Sequence, residues 1–237
     1  MLTRPIHDII AAGALEVAAP NAQRSCVMAD SFLSKSLSQF LDELASNAPV
    51  PGGGSTAALT GALAAALVSM VGNLTLGKKR YANVQEEMEG LLARSEALRH
   101  QLSQLLEADI RVYGILSKAY KLPRTTDEQK AARTVAIQAA LREAEAVPMQ
   151  IAEACVEVLD LCTPLAEKGN RLAVSDAGVA ALLAEAGLRS GALNVLINLA
   201  YIKDEEFVRR ESAKLDGLLE SKGQLKEQVY ELVIKRL

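Results

Sequence analysis

From Leu44 to Gly77 the chain carries no charged side chain, and any fold must take most of that stretch out of water. Its first part, Pro49-Val50-Pro51-Gly52-Gly53-Gly54-Ser55, interrupts regular structure: two prolines lack the amide donor a helix interior needs, and three glycines open conformations closed to other residues. The remainder is rich in Ala and Gly rather than Leu and Ile, and carries Thr60, Ser69, Asn73 and Thr75. A membrane span has to be weighed for such a segment. No second span and no aromatic belt accompany it, so the reading adopted is a helix buried on all sides, with Ser55 or Thr56 as its N-cap. Ala57, Gly61, Ala65, Ser69 and Asn73 form one i, i+4 ridge of small residues, beside a second of Leu59, Leu63, Leu67, Val71 and Thr75. Small ridges let helices approach closely, at a bundle centre or a subunit interface.

The composition supports helices. Of the 237 residues 50% are apolar but only 3% aromatic, so the core is Ala, Leu, Val and Ile in many small contacts, which few β-rich folds use. Two His and three Cys exclude His-rich zinc sites, zinc fingers and a disulfide framework, and no metal site is expected. Chemistry falls to carboxylates, hydroxyls, amides, Lys and Arg. A net charge of −3 gives nucleic-acid binding no global driver. Residues 1–30, with a short apolar run from Ile9 to Leu15 in a mixed-sign setting, make a poor signal peptide. They read as a mobile extension, with Met28 as an alternative start, ahead of a single domain over 31–237 and a cytoplasmic location.

Periodicity predicts an all-α bundle of six to eight helices with two Ala/Gly-rich ones at its centre. Leu37, Phe40, Leu41 and Leu44 mark a first helix. Between Ala82 and Leu122, positions 84, 88, 91, 95, 98, 102, 105, 109, 112, 116 and 119 form an apolar seam, broken only by Ser95 and Asp109. Pro123 ends that helix, and Thr126 with Gln129 makes a capping box for the next, which bends at Pro148 and carries Cys155 and Cys162 as ordinary core. Gly169-Asn170-Arg171 stops it; Ser175 caps a second Ala-rich helix reaching Ile202. Asp204 opens a charged helix and Gly223 breaks it.

Three constellations could carry chemistry. Gly72-Asn73-Leu74-Thr75-Leu76-Gly77-Lys78-Lys79 imitates a phosphate-binding loop, but lacks the hydroxyl after the lysine and ends a helix rather than starting one. Its cations Lys78, Lys79 and Arg80 either complement a helix C-terminus or bind an anion. Asp109, a carboxylate on an apolar seam, must be paired, hydrogen-bonded or protonated, and is the candidate for acid/base work; the alternative is a cap or an ion pair with Arg133 or Arg189. Ser175-Asp176-Ala177-Gly178 precedes a face of Gly187, Gly191, Asn194 and Asn198, which suits either a flat heterocycle or tight helix packing.

Phe40-Leu41-Asp42-Glu43-Leu44-Ala45, Pro51-Gly52-Gly53-Gly54-Ser55, Ala64-Ala65-Ala66-Leu67-Val68-Ser69-Met70-Val71, Asn73-Leu74-Thr75-Leu76-Gly77-Lys78-Lys79, Asp109 with Tyr113, Ser175-Asp176-Ala177-Gly178-Val179-Ala180 and Asn194-Val195-Leu196-Ile197-Asn198 together resemble the cyclodeaminase/cyclohydrolase family, from Ser36 to Leu237. The resemblance implies an all-helical subunit that forms a homodimer, a tetrahydrofolate derivative as substrate, and no further cofactor, nucleic acid or membrane. It implies Asp109 as general acid/base, with Asp176 a lesser candidate. Lys78 and Lys79 would meet the anionic glutamate tail. Gly52, Gly53, Gly54 and Ser55 would offer backbone N–H groups, and Asn194 and Asn198 would read the pterin edge. Gly187-Leu188-Arg189-Ser190, Asn194-Val195 and the lack of a transferase domain look closer to methenyltetrahydrofolate cyclohydrolases than to formiminotetrahydrofolate cyclodeaminases. A folate-binding scaffold without turnover is the competing reading.

Overall fold

Ser36 and Thr126 start two helices in the same way: each side chain accepts from the N–H three residues on, while Gln39 or Gln129 reaches back to the cap's own N–H. Asp204 starts another, accepting from the N–H groups of Glu206 and Phe207. In the computed structural model of the protein residues 31–237 are described; the expected extension and the alternative start at Met28 lie outside the described residues. Within them run α1 (Leu37–Leu44), α2 (Gly53–Thr75), α3 (Gln85–Tyr120), α4 (Asp127–Lys168), α5 (Val174–Leu199), α6 (Glu205–Leu219) and α7 (Lys222–Arg236), with 3-10 turns at Phe32–Ser34, Lys79–Val84 and Arg171–Ala173 and no strand. The chain is all-α, as its periodicity predicts.

Three expected caps and breaks fall elsewhere, and the helices expected over 82–122 and up to Ile202 run Gln85–Tyr120 and end at Leu199. Helix α2 begins at Gly53 with Gly52 as N-cap, so Ser55 lies inside the first turn, where its hydroxyl accepts from the Gly52 N–H at 3.1 Å. Ser175 lies inside the first turn of α5 as well; the N-cap of α5 is Ala173, with no side-chain cap, and Asn170 caps the 3-10 turn before it, accepting from Leu172 N–H. The break before α7 falls at Ser221, which takes φ 62°, and not at Gly223 in the first turn of α7.

Helices α2, α3, α4 and α5 close a four-membered ring, each packed on the next, with α6 and α7 laid against α4 and α5. Helices α2 and α5 run antiparallel: Gly53 faces Asn194, Gly61 faces Gly187, and the Thr75 hydroxyl accepts from the Asn170 N–H at 2.9 Å. At the crossing, β-carbons on Gly61 and Gly187 would meet the Cys155 sulfur at 2.6 and 2.8 Å, so only glycine lets the three helices approach this closely. Burial pushes the Cys155 and Cys162 thiols up to about 12, the behaviour of inert core cysteines.

Burial of α2 on all sides does not hold. Ala57, Gly61, Ala65 and Ser69 are buried, but Leu63 and Leu74 are 51% and 41% exposed. The expectation that no second apolar span accompanies α2 does not hold: both α2 (Gly53–Thr75) and the span Arg171–Leu199 are long and apolar enough to cross a membrane, and about half of the most apolar stretch of each lies inside the bundle. The outer half remains because ring neighbours cover only the inner faces of two adjacent helices.

Candidate active site

The two polar breaks in the α3 seam meet two hydroxyls of α2. Ser95 shares a 2.8 Å hydrogen bond with Ser69, and Ser55 donates to Oδ2 of Asp109 at 3.0 Å. Both helices place these partners four turns apart, so one antiparallel packing satisfies both. Gly54 lies against the same carboxylate: a β-carbon there would stand 2.6 Å from Cγ of Asp109 and closer still to Oδ1. Gly54 therefore serves a close approach between the start of α2 and the middle of α3, while Gly53 faces Asn194 of α5.

Burial raises the Asp109 carboxyl above its ordinary value, while the Ser55 hydroxyl and backbone N–H pull it down. The positive end of α2 favours the charged form as well. Neither suspected arginine pairs with it: Arg133 donates to the Tyr120 carbonyl, and Arg189 binds Glu185 one turn before it on α5. Asp109 is a half-buried carboxylate held by a hydroxyl, and among the described residues it is not one end of a salt bridge.

Around it opens a pocket of about 870 Å³, its mouth included, walled by the Pro49–Gly54 turn, by α3 through Val112, Tyr113, Leu116 and Tyr120, by α4 through Leu141 and Ala144, and by Asn194, Ile197, Asn198 and Tyr201. Asp109 is the only charged side chain in this lining. Asn194 and Asn198 both reach it, but their amide nitrogens are committed: Asn194 Nδ2 donates to the Ser190 carbonyl, and Asn198 Nδ2 to the carbonyls of Ala144 and Asn194. Their amide oxygens face no such donor among the described residues. Asn198 finds the Ala144 carbonyl free because Pro148, four residues on within the continuous helix α4, has no N–H to bond it.

Gly52, Gly53, Gly54, Ser55, Asp109, Asn194 and Asn198 thus come together. Lys78, Lys79 and Asp176 do not join them within one subunit. Lys78 and Lys79 lie beyond the C-terminus of α2, 23 residues and about 34 Å along the helix from its start. Asp176 lies in the first turn of α5, which the antiparallel packing sets beside that same far end. Sequence reading missed Ala144, Tyr120 and Tyr201; Pro148 was the available signal for Ala144, while nothing local marks the tyrosines. No group of three His, Cys, Asp or Glu suited to a metal occurs among the described residues.

Residues 36–217 match the family described as formiminotransferase-cyclodeaminase. The chain belongs to that family. It is 48% identical over 199 residues to methenyltetrahydrofolate cyclohydrolase of Methylorubrum extorquens, covering 84% of this chain and 96% of that protein. It is 38% identical over 190 residues to formimidoyltransferase-cyclodeaminase of Rattus norvegicus, covering 80% of this chain but 35% of that longer protein. The crystal structure of formiminotetrahydrofolate cyclodeaminase from Thermotoga maritima superposes with a TM-score of 0.71 at 35% identity, covering 86% of this chain and 96% of that one. Family membership and the helical fold expected from the motifs stand on these matches.

Proposed function

We propose that the protein is a methenyltetrahydrofolate cyclohydrolase, interconverting 5,10-methenyltetrahydrofolate and 10-formyltetrahydrofolate as a cytoplasmic homodimer that needs no cofactor beyond its folate. One observation carries the reading: the only charge in an apolar pocket is a carboxylate, and this substrate brings a cation at its reacting carbon. The 48% identity to a cyclohydrolase along nearly the whole of that protein supports it.

Asp109 takes a proton from water as the oxygen bonds to the carbon bridging N5 and N10. It then returns that proton to N5 as the carbon–N5 bond breaks, and the adduct's hydroxyl proton leaves to solvent as the formyl carbonyl forms. Charge balances: a cation and water give a neutral product and one proton. Ser55 orients the carboxylate through its hydroxyl and its backbone N–H, and Gly54 makes room for Asp109 itself. The Gly52 N–H expected to face substrate is spent on the Ser55 hydroxyl, Gly53 lines the pocket wall, and the Asn194 and Asn198 oxygens accept from the pterin edge. Asp176 as the lesser acid/base candidate and Lys78 and Lys79 as ligands of the glutamate tail stand at the far end of their own subunit, so these roles can be filled only across the homodimer.

The second reading, formiminotetrahydrofolate cyclodeaminase, draws on the likeness to the Thermotoga maritima enzyme and uses Asp109 as acid toward departing ammonia. Two assays separate the readings. The wild type is expected to accelerate loss of methenyltetrahydrofolate absorbance, and Asp109→Asn to abolish that acceleration. Ammonia release from 5-formiminotetrahydrofolate without faster methenyl hydrolysis would establish the second reading, and full activity of Asp109→Asn would remove Asp109 from the mechanism. Binding of folate with turnover of neither compound would leave the scaffold.

A further inference from the structure

A folate carries an anionic glutamate tail, yet neither the Asp109 pocket nor the shallow groove beside it is lined by a single Lys, Arg or His. The groove shares Gly52, Gly53 and Asn194 with the pocket and runs on to Thr56 and Leu193. There it meets the uncovered face of the bundle: Leu63, Met70 and Leu74 on α2, and Val179, Leu182 and Leu193 on α5, all exposed. On α2 this face repeats in steps of three and four from Thr56 through Leu63 and Met70 to Leu74, the spacing of a helix–helix seam. At about 34 Å long and two helices, about 20 Å, wide, it offers roughly 700 Å² per copy and about 1,400 Å² in a pair, the size of a stable interface. At its far end stand Lys78, Lys79 and Arg80, none within salt-bridge distance of a carboxylate among the described residues.

We infer that a second copy of this chain covers the α2–α5 face with its α2 antiparallel, so that the partner's Lys78 and Lys79 stand at the mouth of each Asp109 pocket and bind the glutamate tail of the folate. The inference rests on the proposed folate chemistry for the ligand, and on the uncovered face for the geometry. A two-fold axis near the middle of α2 exchanges the ends of the face: the pocket end of one copy meets the cationic end of the other. The partner's Asp176, at that cationic end, travels with its lysines. The alternative, a two-fold axis along α2, sets both cationic ends side by side and leaves both pockets without a cation. Antiparallel packing also opposes the two helix dipoles favourably. The sequence motifs split between the two ends of one subunit thereby form one composite site.

Complementation between variants tests this. Asp109→Asn and the double variant Lys78→Ala, Lys79→Ala are co-expressed with different tags, and the heterodimer is isolated through both. In a composite site it holds one intact site, with Asp109 from one copy and both lysines from the other, and about half of wild-type activity at subsaturating methenyltetrahydrofolate is expected. If the lysines act within their own subunit no intact site exists, and activity at the level of the parent variants overturns the proposal; so does a wild-type KM for the double variant. Geometry is read without turnover by oxidising a mixture of Thr56→Cys and Leu74→Cys chains. Disulfides joining position 56 to position 74 are expected. Links only between like positions, or a wild-type chain that sediments as a monomer, would refute the antiparallel pair. A wild type inactive on folates, with the cysteine variants still giving the 56–74 link, would overturn the folate chemistry and not the interface.

Discussion

Ser55 donates a 3.0 Å hydrogen bond to Asp109 across 54 positions of sequence, joining the first turn of one helix to the middle of another. The hydroxyl favours the ionised carboxylate, whereas burial favours the neutral acid and dominates. If Asp109 is the base, the acid limb of the kcat/KM profile lies above the ordinary aspartate range. Ser55→Ala removes a donor to the charged form, and its acid limb is expected at higher pH than in the wild type. Asp109→Asn is expected to lower kcat by roughly 10²–10⁴ and to lose the limb; pH–rate profiles of the three proteins check both statements.

Gly54→Ala inserts a β-carbon 2.6 Å from Cγ of Asp109, so the carboxylate must move. A displacement on the order of 1 Å at a reacting group costs about 10²-fold in rate, and a loss of that size in kcat/KM is expected with the helical circular dichroism retained.

Asn198→Ala removes the donor from the Ala144 carbonyl and is expected to destabilise the fold by about 1–3 kcal/mol. Adding Pro148→Ala restores an N–H in the same helix turn. Denaturant unfolding of the single and double variants is expected to show positive coupling, the double variant losing less than the two single losses combined.

Gly61→Ala drives a methyl group into the Cys155 sulfur, 2.6 Å away, and toward Leu102 at 3.0 Å. Overpacking of this kind costs about 1–3 kcal/mol. Cys155→Ala on the same chain vacates the space, and its thermal midpoint is expected to lie above that of Gly61→Ala alone.

Glu145 is 2% exposed and its Oε1 has no hydrogen-bond partner. Burial and then the charge of Glu211 push its carboxyl to about 7, against the pull of Lys214 and Arg210. The folded state holds this proton more tightly than the unfolded chain, so wild-type stability falls as pH rises from the unfolded value near 4.5 through about 7. Glu145→Gln is expected to match the wild type near the lower pH and to exceed it by up to roughly 3 kcal/mol at pH 8, read from urea unfolding at both values.

Asp109 was legible in the residue pattern, because an apolar repeat makes a carboxylate at a seam position stand out. Ser95 stood out for the same reason, and each proved to meet a hydroxyl of α2. Partners were not legible: Arg133 and Arg189 were reasonable candidates by charge, but charge carries no distance. Ala144 was hidden because its role depends on a missing amide four residues later and on an asparagine from another helix.

The sequence by itself determined the helices, their stops and the apolar seam, since these rest on backbone donors, caps and a 3.6-residue period that are local. With only two His and three Cys, it also left a carboxylate as the candidate for the proposed acid/base chemistry. Only the tertiary structure decided what that carboxylate faces and what remains uncovered. The uncharged stretch from Leu44 to Gly77 reads as wholly buried; the closed ring of four helices buries its small ridge and leaves a leucine face outside. The same antiparallel packing of α2 and α5 sends Gly52–Ser55 to one end and Lys78, Lys79 and Asp176 to the other, because helix direction, which no residue pattern encodes, sets which termini meet.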